Sequence, residues 1–298
     1  MFYNIEYAYA SNIGKVRRNH EDNFWCGGNF LPYVNSGLDG IKTGLISCES
    51  VPAFAVFDGM GGESCGEIAS GLAAEVFDEY YTGHKYEFSG DPERFIEKLS
   101  HEMNRRICEY AHTNHIGSMG STSAMAIFGD DWYAVSNLGD SRIYACSGGK
   151  LRQLSTDHVF GGGVYRKAPL VQYLGLEETD AALKPSFVKE QLTHGLRLLL
   201  CSDGVTDMID DTKLREILSG QGSVEETAGV IIETALDSGG RDNTTVILIE
   251  VRAEGAVETG PGGSMMNREA GTETEAGDSA ANREGGFRGW LRSLFGRR

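Results

Sequence analysis

The chain has 298 residues, with 27 lysines and arginines against 43 aspartates and glutamates, a formal net charge of −16. Hydrophobic residues make up 40% and charged residues 23%, a globular balance that excludes a wholly disordered chain. The acidic excess argues against a general nucleic-acid binder, whose phosphate contacts need clustered Lys and Arg. No apolar stretch approaches the roughly 18 residues of a membrane span. The N-terminus, MFYNIEYAYASNIGK, lacks a basic region followed by an apolar one, so no secretory signal is expected. The cysteines, at 26, 48, 65, 108, 146 and 201, form no CxxC pair and no zinc-finger spacing with histidine. Scattered thiols of this kind imply a reducing, cytoplasmic setting.

In chain order, Cys26–Ser50 reads as a long Gly-rich insertion between the first strands, a hairpin or loop. Val51–Phe57 is a short apolar run and predicts a buried strand. After a Gly-rich turn, Ile68, Leu72, Val76 and Tyr80 recur at four-residue steps and predict a helix over Ser64–Tyr81. Asp91-Pro92-Glu93 is a helix start: a capping carboxylate, a proline in the first turn and an acid after it. The helix that follows is expected to bury Phe95, Leu99, Met103, Ile107 and Tyr110. The period then changes. Thr122–Phe128, Trp132–Asn137, Arg142–Cys146 and Leu151–Leu154 are short strands split by GDD, GDS and GG turns, which predicts an antiparallel meander. Leu196–Cys201 is a further strand, Asp211–Ser219 and Val224–Leu236 are helical, and Thr244–Val251 is a last strand. Helices grouped apart from strand runs indicate an α+β domain with antiparallel sheets over residues 1–252. Residues 253–282 read as a flexible Gly-rich, mildly acidic linker. Residues 283–298 differ again, with Phe287, Trp290, Leu291, Leu294 and Phe295 among arginines. They are expected to dock on an anionic membrane surface or an acidic partner.

Two apolar strands each end in aspartate and glycine: Val51–Phe57 runs into Asp58-Gly59, and Leu198–Cys201 into Ser202-Asp203-Gly204. Gly240-Arg241-Asp242-Asn243 precedes the last strand, and Asn137-Leu138-Gly139-Asp140 ends another. Glu21-Asp22 follows Arg17 and Arg18. Any one Asp-Gly pair is an ordinary turn. Together they suggest more, because a buried aspartate at a strand end is costly unless paired or bound to a cation. Hard cations such as Mg²⁺ and Mn²⁺ take several oxygen ligands, and a glycine lets a backbone carbonyl approach the same ion. There is no GxSxG, HExxH or Walker A pattern to compete with an all-oxygen metal site.

The chain resembles the metal-dependent serine/threonine protein phosphatases of type 2C in their bacterial form. The resemblance rests on ordered motifs across residues 6–251. They run from Gly14 through Arg17 to Glu21-Asp22, then Val56-Phe57-Asp58-Gly59-Met60-Gly61-Gly62, then Gly120-Ser121-Thr122. Asn137 to Tyr144, Asp157-His158, Leu200 to Asp207 and Gly240 to Thr245 complete the series. The resemblance implies a central antiparallel β-sandwich flanked by helices on both sides, a four-layer α/β/β/α fold. It implies two Mn²⁺ or Mg²⁺ ions, with Asp58 bridging them, the Gly59 carbonyl on one, and Asp203 and Asp242 on the other. Glu21 and Asp22 would hold metal-bound waters, and Arg17 would grip the substrate phosphate. Asp140 and Asp207 match a third, weaker metal site. The implied chemistry is attack of a metal-bridging hydroxide on phosphoserine or phosphothreonine in proteins, opposing a bacterial Ser/Thr kinase, by a cytoplasmic monomer. Met60 stands where eukaryotic relatives often carry a histidine, and a thioether cannot donate that proton. The flap after Asp157-His158 looks cut to about a dozen residues relative to the family pattern. The alternative is a catalytically silent module of the same fold that binds a partner, although such relatives generally lose the metal aspartates.

Overall fold

A computed structural model describes residues 2–61, 65–88, 90–163, 168–177 and 182–254. One sheet joins β3 (Lys42–Ser47), β1 (Tyr3–Asn12), β12 (Thr244–Ala253), β11 (Arg197–Cys201), β8 (Arg142–Ser147) and β9 (Lys150–Gln153), in that order. The other runs β10 (Val188–Gln191), β7 (Trp132–Leu138), β6 (Ser123–Phe128), β4 (Ala53–Met60) and β2 (Asp22–Cys26). β5 (Gly120–Ser121) is added at the end of β4. Every pairing among these strands is antiparallel.

The period of two explains why the middle strands look apolar throughout. In β4, Phe54 and Val56 enter the core between the sheets, with Phe24, Phe128, Ile143, Leu198 and Ile247. Ala55 and Phe57 point the other way, into a second core under the helices, with Trp25, Phe77, Leu99 and Met103. A strand buried on both faces needs no polar alternation. Each large side chain sealed there contributes about 2 kcal/mol of hydrophobic stabilisation.

Helix α1 (Gly66–His84) packs on β4 and β2, and α2 (Pro92–Thr113) packs on α1. Asp91 caps α2 by accepting from the Arg94 N–H at 3.1 Å, and Phe95, Leu99, Met103 and Ile107 are buried as the spacing requires, while Tyr110 is only half-buried. On the far side, α5 (Val224–Asp237) covers β1 and β12, and α4 (Asp211–Leu218) packs on α5 and β9. Ser223 and Glu226 close a capping box at the start of α5. The layers are therefore helix, sheet, sheet, helix, as expected of the α+β sandwich.

Two expectations change. The four strands read as one meander are two hairpins in different sheets. β6 pairs with β7 and β8 with β9, and the chain crosses between sheets at Gly139–Ser141. Gly139 has φ of +95°, and a Cβ there would lie 2.6 Å from Thr122 Cγ2, so the crossover needs a glycine. The Cys26–Ser50 insertion, in turn, forms no hairpin of β3 with β2. It returns as β3 and extends the sheet beyond β1. The shortened flap is closed at its base, where Val159 and Leu170 bridge and the Val171 N–H donates to the His158 carbonyl at 2.9 Å. Residues 164–167 and 255–298 lie outside the described residues. So do the flap tip, the Arg/aromatic segment 283–298 and nearly all of the 253–282 linker. Among the described residues no helix is long and apolar enough to cross a membrane.

Candidate functional site

Six aspartates gather at one end of the sandwich. Asp58 sits near the end of β4, directly opposite Asp22, the first residue of β2. Asp203 follows β11 and opens the short helix α3 (Asp203–Thr206), while Asp242 precedes β12. Asp140 lies in the crossover between the sheets, and Asp207 ends α3, its N–H donating to the Asp203 carbonyl at 2.8 Å. The two sheets therefore contribute carboxylates from facing edges. The burial is graded. Asp22 is sealed at 2% exposure, Asp58, Asp203, Asp242 and Asp140 are half-buried, and Asp207 is exposed.

Main-chain contacts set the floor. Asp58 donates its N–H to Thr122 Oγ1 at 3.0 Å, and its carbonyl accepts from the Thr122 N–H at 2.8 Å. Ser141 Oγ lies 2.6 Å from the same threonine hydroxyl. Gly59 donates its N–H to the Glu21 carbonyl at 3.0 Å. A Cβ on Gly59 would lie 2.0 Å from the Gly66 carbonyl oxygen and 2.6 Å from that of Glu21. A Gly59→Ala variant is therefore expected to lose about 3 kcal/mol of stability, measured by urea unfolding.

The electrostatics follow from crowding. Burial, and then the charges of Asp22, Asp203, Asp140 and Asp242, hold the Asp58 carboxyl well above the usual range. Burial pushes Asp22 up to about 7, although the Ser202 and Thr245 hydroxyls that donate to its Oδ2, each at 2.7 Å, oppose the rise. Burial, followed by Asp140 and Asp242, also pushes Asp203 up to about 7. Glu21 and Asp140 are raised, again chiefly by burial. Carboxylates this close either take up protons or need cations between them. Arg17 supplies one, its Nη2 donating to Asp242 Oδ2 at 2.6 Å and its Nη1 lying 4.0 Å from Glu21. Among the described residues no three His, Cys, Asp or Glu side chains close around one ion by themselves. Backbone carbonyl and water oxygens would have to complete each shell, as suits hard cations that retain water. The all-oxygen donor set and its unbalanced negative charge fit Mg²⁺ or Mn²⁺.

The structure thus brings together Arg17, Glu21, Asp22, Asp58, Gly59, Asp140, Asp203, Asp207 and Asp242. Other motif residues prove to hold the scaffold. Arg142 forks onto Asp157, with Nη2 to Oδ2 at 2.6 Å and Nε to Oδ1 at 3.0 Å. His158 accepts the Gly139 N–H on Nδ1 at 3.3 Å. Asn243 donates to the Ile13 and Asn19 carbonyls and accepts from the Glu21 N–H at 2.7 Å, pinning the Arg17 loop to the site. Sequence reading gave Thr122, Asn243, Ser11 and His20 no role. Thr122, Asn243 and His20 at least lie inside the motifs, whereas nothing marks Ser11. Cys201 is fully buried and packs in the strand.

Residues 45–237 match the family model described as protein phosphatase 2C. The serine/threonine phosphatase stp of Listeria monocytogenes is 30% identical over 261 residues, covering 81% of this chain and 94% of that protein. The serine/threonine protein phosphatase PstP of Mycobacterium tuberculosis is 28% identical over 262 residues, covering 83% of this chain and 45% of that one. The crystal structure of the latter phosphatase superposes with a TM-score of 0.68 at 26% identity, covering 84% of this chain and all of that one. A structure of the PstP catalytic domain in complex with two manganese ions gives the same TM-score at 27% identity and the same coverage. The fold, the crowd of aspartates at its edge and these likenesses agree: the chain belongs to the protein phosphatase 2C family.

Proposed function

We propose that this protein is a metal-dependent phosphatase that hydrolyses phosphoserine and phosphothreonine in other proteins, opposing a Ser/Thr kinase in the cytoplasm. The observation that carries the reading is the convergence of buried carboxylates from both sheets on one oxygen-lined space. In this reading Asp58, the Gly59 carbonyl, Asp203 and Asp242 would together hold two divalent cations, Mn²⁺ or Mg²⁺. Glu21 and Asp22 would orient water around the ions, and Asp140 and Asp207 would hold a third, weaker one. When bound, the cations supply charge stabilisation at the phosphoryl oxygens and lower the pKa of water held between them. Arg17, half-exposed with one N–H on Asp242, would use its guanidinium to fork onto the phosphate. Met60, next after Gly59, holds no proton for the departing alkoxide. The silent-module alternative loses ground, since every expected metal aspartate is present and the curated relatives are named as phosphatases.

The test is hydrolysis of a phosphothreonine peptide with EDTA, Mg²⁺ and Mn²⁺ in parallel, beside Asp203→Asn. Activity that needs the metal and vanishes in the variant supports the reading, and metal-independent or retained activity overturns it. Arg17→Ala is expected to raise KM by roughly thirtyfold, from the loss of about 2 kcal/mol of charged hydrogen bonding. Arg17→Lys should restore only part of that, because an ammonium lacks the fork.

A further inference from the structure

We infer that His20 is a positioning residue that holds Asp22 from both ends, through its main chain and, by way of Ser11 and Thr245, through its carboxylate. The inference rests on the proposed role of Asp22 beside the cations. His20 is fully buried, at 0% exposure, and touches no substrate-facing surface. Its Nδ1 lies 3.1 Å from the Asp22 carbonyl oxygen, and its Nε2 lies 3.1 Å from Ser11 Oγ. A carbonyl only accepts, so Nδ1 carries a proton and donates it to Asp22.

The chain of contacts continues. Ser11 Oγ lies 2.8 Å from Thr245 Oγ1, and Thr245 reaches Asp22 Oδ2 at 2.7 Å. Ser11 and Thr245 are also direct partners in the β1–β12 ladder. Ser202, just before Asp203, donates to the same Oδ2 at 2.7 Å and accepts the Thr245 N–H at 3.0 Å. The contacts form a closed ring: Asp22 carbonyl, His20, Ser11, Thr245, Asp22 carboxylate. The ring ties the head of β2 in one sheet to β1 and β12 in the other, across the gap that carries the aspartates. One carboxylate oxygen is fully engaged, so the rotation of the Asp22 side chain is fixed and its other oxygen keeps one direction. Partners behind metal-site residues act in this way, fixing orientation without touching the reacting atoms.

Ser11→Ala removes one oxygen from a strand interior and cuts the ring. The expected result is about tenfold weaker Mn²⁺ binding by calorimetry and about tenfold lower kcat on a phosphothreonine peptide. KM should stay unchanged, because Arg17 is untouched. His20→Asn cuts the same link from the other side, since its amide reaches the Nδ1 position and not that of Nε2. It should match Ser11→Ala, and the double variant should lose no more than either single one. Melting curves in EDTA verify that each variant is folded. A folded Ser11→Ala protein with native Mn²⁺ affinity and kcat overturns the inference, as do additive losses in the double variant. Asp22→Asn separates the two readings. If it binds Mn²⁺ and turns over normally, the proposed site itself fails. If it loses both while Ser11→Ala does not, only the role of His20 fails.

Discussion

Replacing Asp58 by asparagine is expected to cut hydrolysis of a phosphothreonine peptide by about a thousandfold or more and, in EDTA, to raise the melting temperature. The two effects have one cause. Asp58 stands where charges from both sheets meet, and burial together with Asp22, Asp203, Asp140 and Asp242 resists its ionisation. A carboxylate in that position is the natural bridge for cations, and an amide is a poor one. The loss of about 4 kcal/mol of charge stabilisation in the transition state corresponds to three orders of magnitude in rate. Without cations the same charge is a burden, and a neutral amide of nearly the same shape removes it. The main-chain bonds to Thr122 do not involve the side chain and persist. Steady-state kinetics with Mn²⁺ and thermal melting in EDTA measure the two halves. A variant that keeps turnover, or that melts below the parent in EDTA, contradicts the assignment.

The stability of the metal-free protein is expected to fall as pH rises from about 4 to 7 and slightly beyond, and Mn²⁺ is expected to restore it most strongly at the upper end. Asp22 and Asp203 each rise from an ordinary 3.8 to about 7 in the folded protein, and Asp58 is also held well above its ordinary range. A carboxyl with a raised folded value prefers to fold protonated. Below 3.8 both states are protonated and no penalty exists. Between that value and about 7 the unfolded chain ionises freely while the folded one resists, so the folded state loses ground with each increment of pH. Above the folded values the penalty is constant. Across the cluster it amounts to several kcal/mol, on the order of 10 °C in melting temperature for a domain of this size. Cations that bind only the ionised, folded site reverse it by mass action. Melting curves from pH 4.5 to 8.5, with EDTA or with Mn²⁺, measure this directly. Equal Mn²⁺ shifts at pH 5 and pH 8 would refute the charge-crowding account.

Much of this was legible in the amino-acid order, and the limit has a physical basis. The strand ending in Asp58, the strand ending in Cys201 before Asp203, and the cap at Asp91-Pro92 are local signals. Apolar runs, Asp-Gly ends and a capping carboxylate act over a few residues and can be read there. The candidate metal aspartates were legible for the same reason, as charges set against apolar strands. Pairing was not legible. Nothing within the four short strands after Ser121 says that the second and third part company into different sheets, or that Cys26–Ser50 returns to pair with β1. Nor does the sequence place Ser11 against Thr245 or Asp22 opposite Asp58. Such partners are chosen by how much apolar surface the whole sandwich can bury, a sum over residues far apart in the chain. The character of each carboxylate is decided at that level as well. Asp22 and Asp207 are the same residue type within similar motifs, yet one is sealed among hydroxyls and the other faces water. The sequence by itself determined which residues carry charge and which strands carry them to an edge. The tertiary structure decided which charges share a buried space, because desolvation and repulsion depend on neighbours that only the packed sheets bring together.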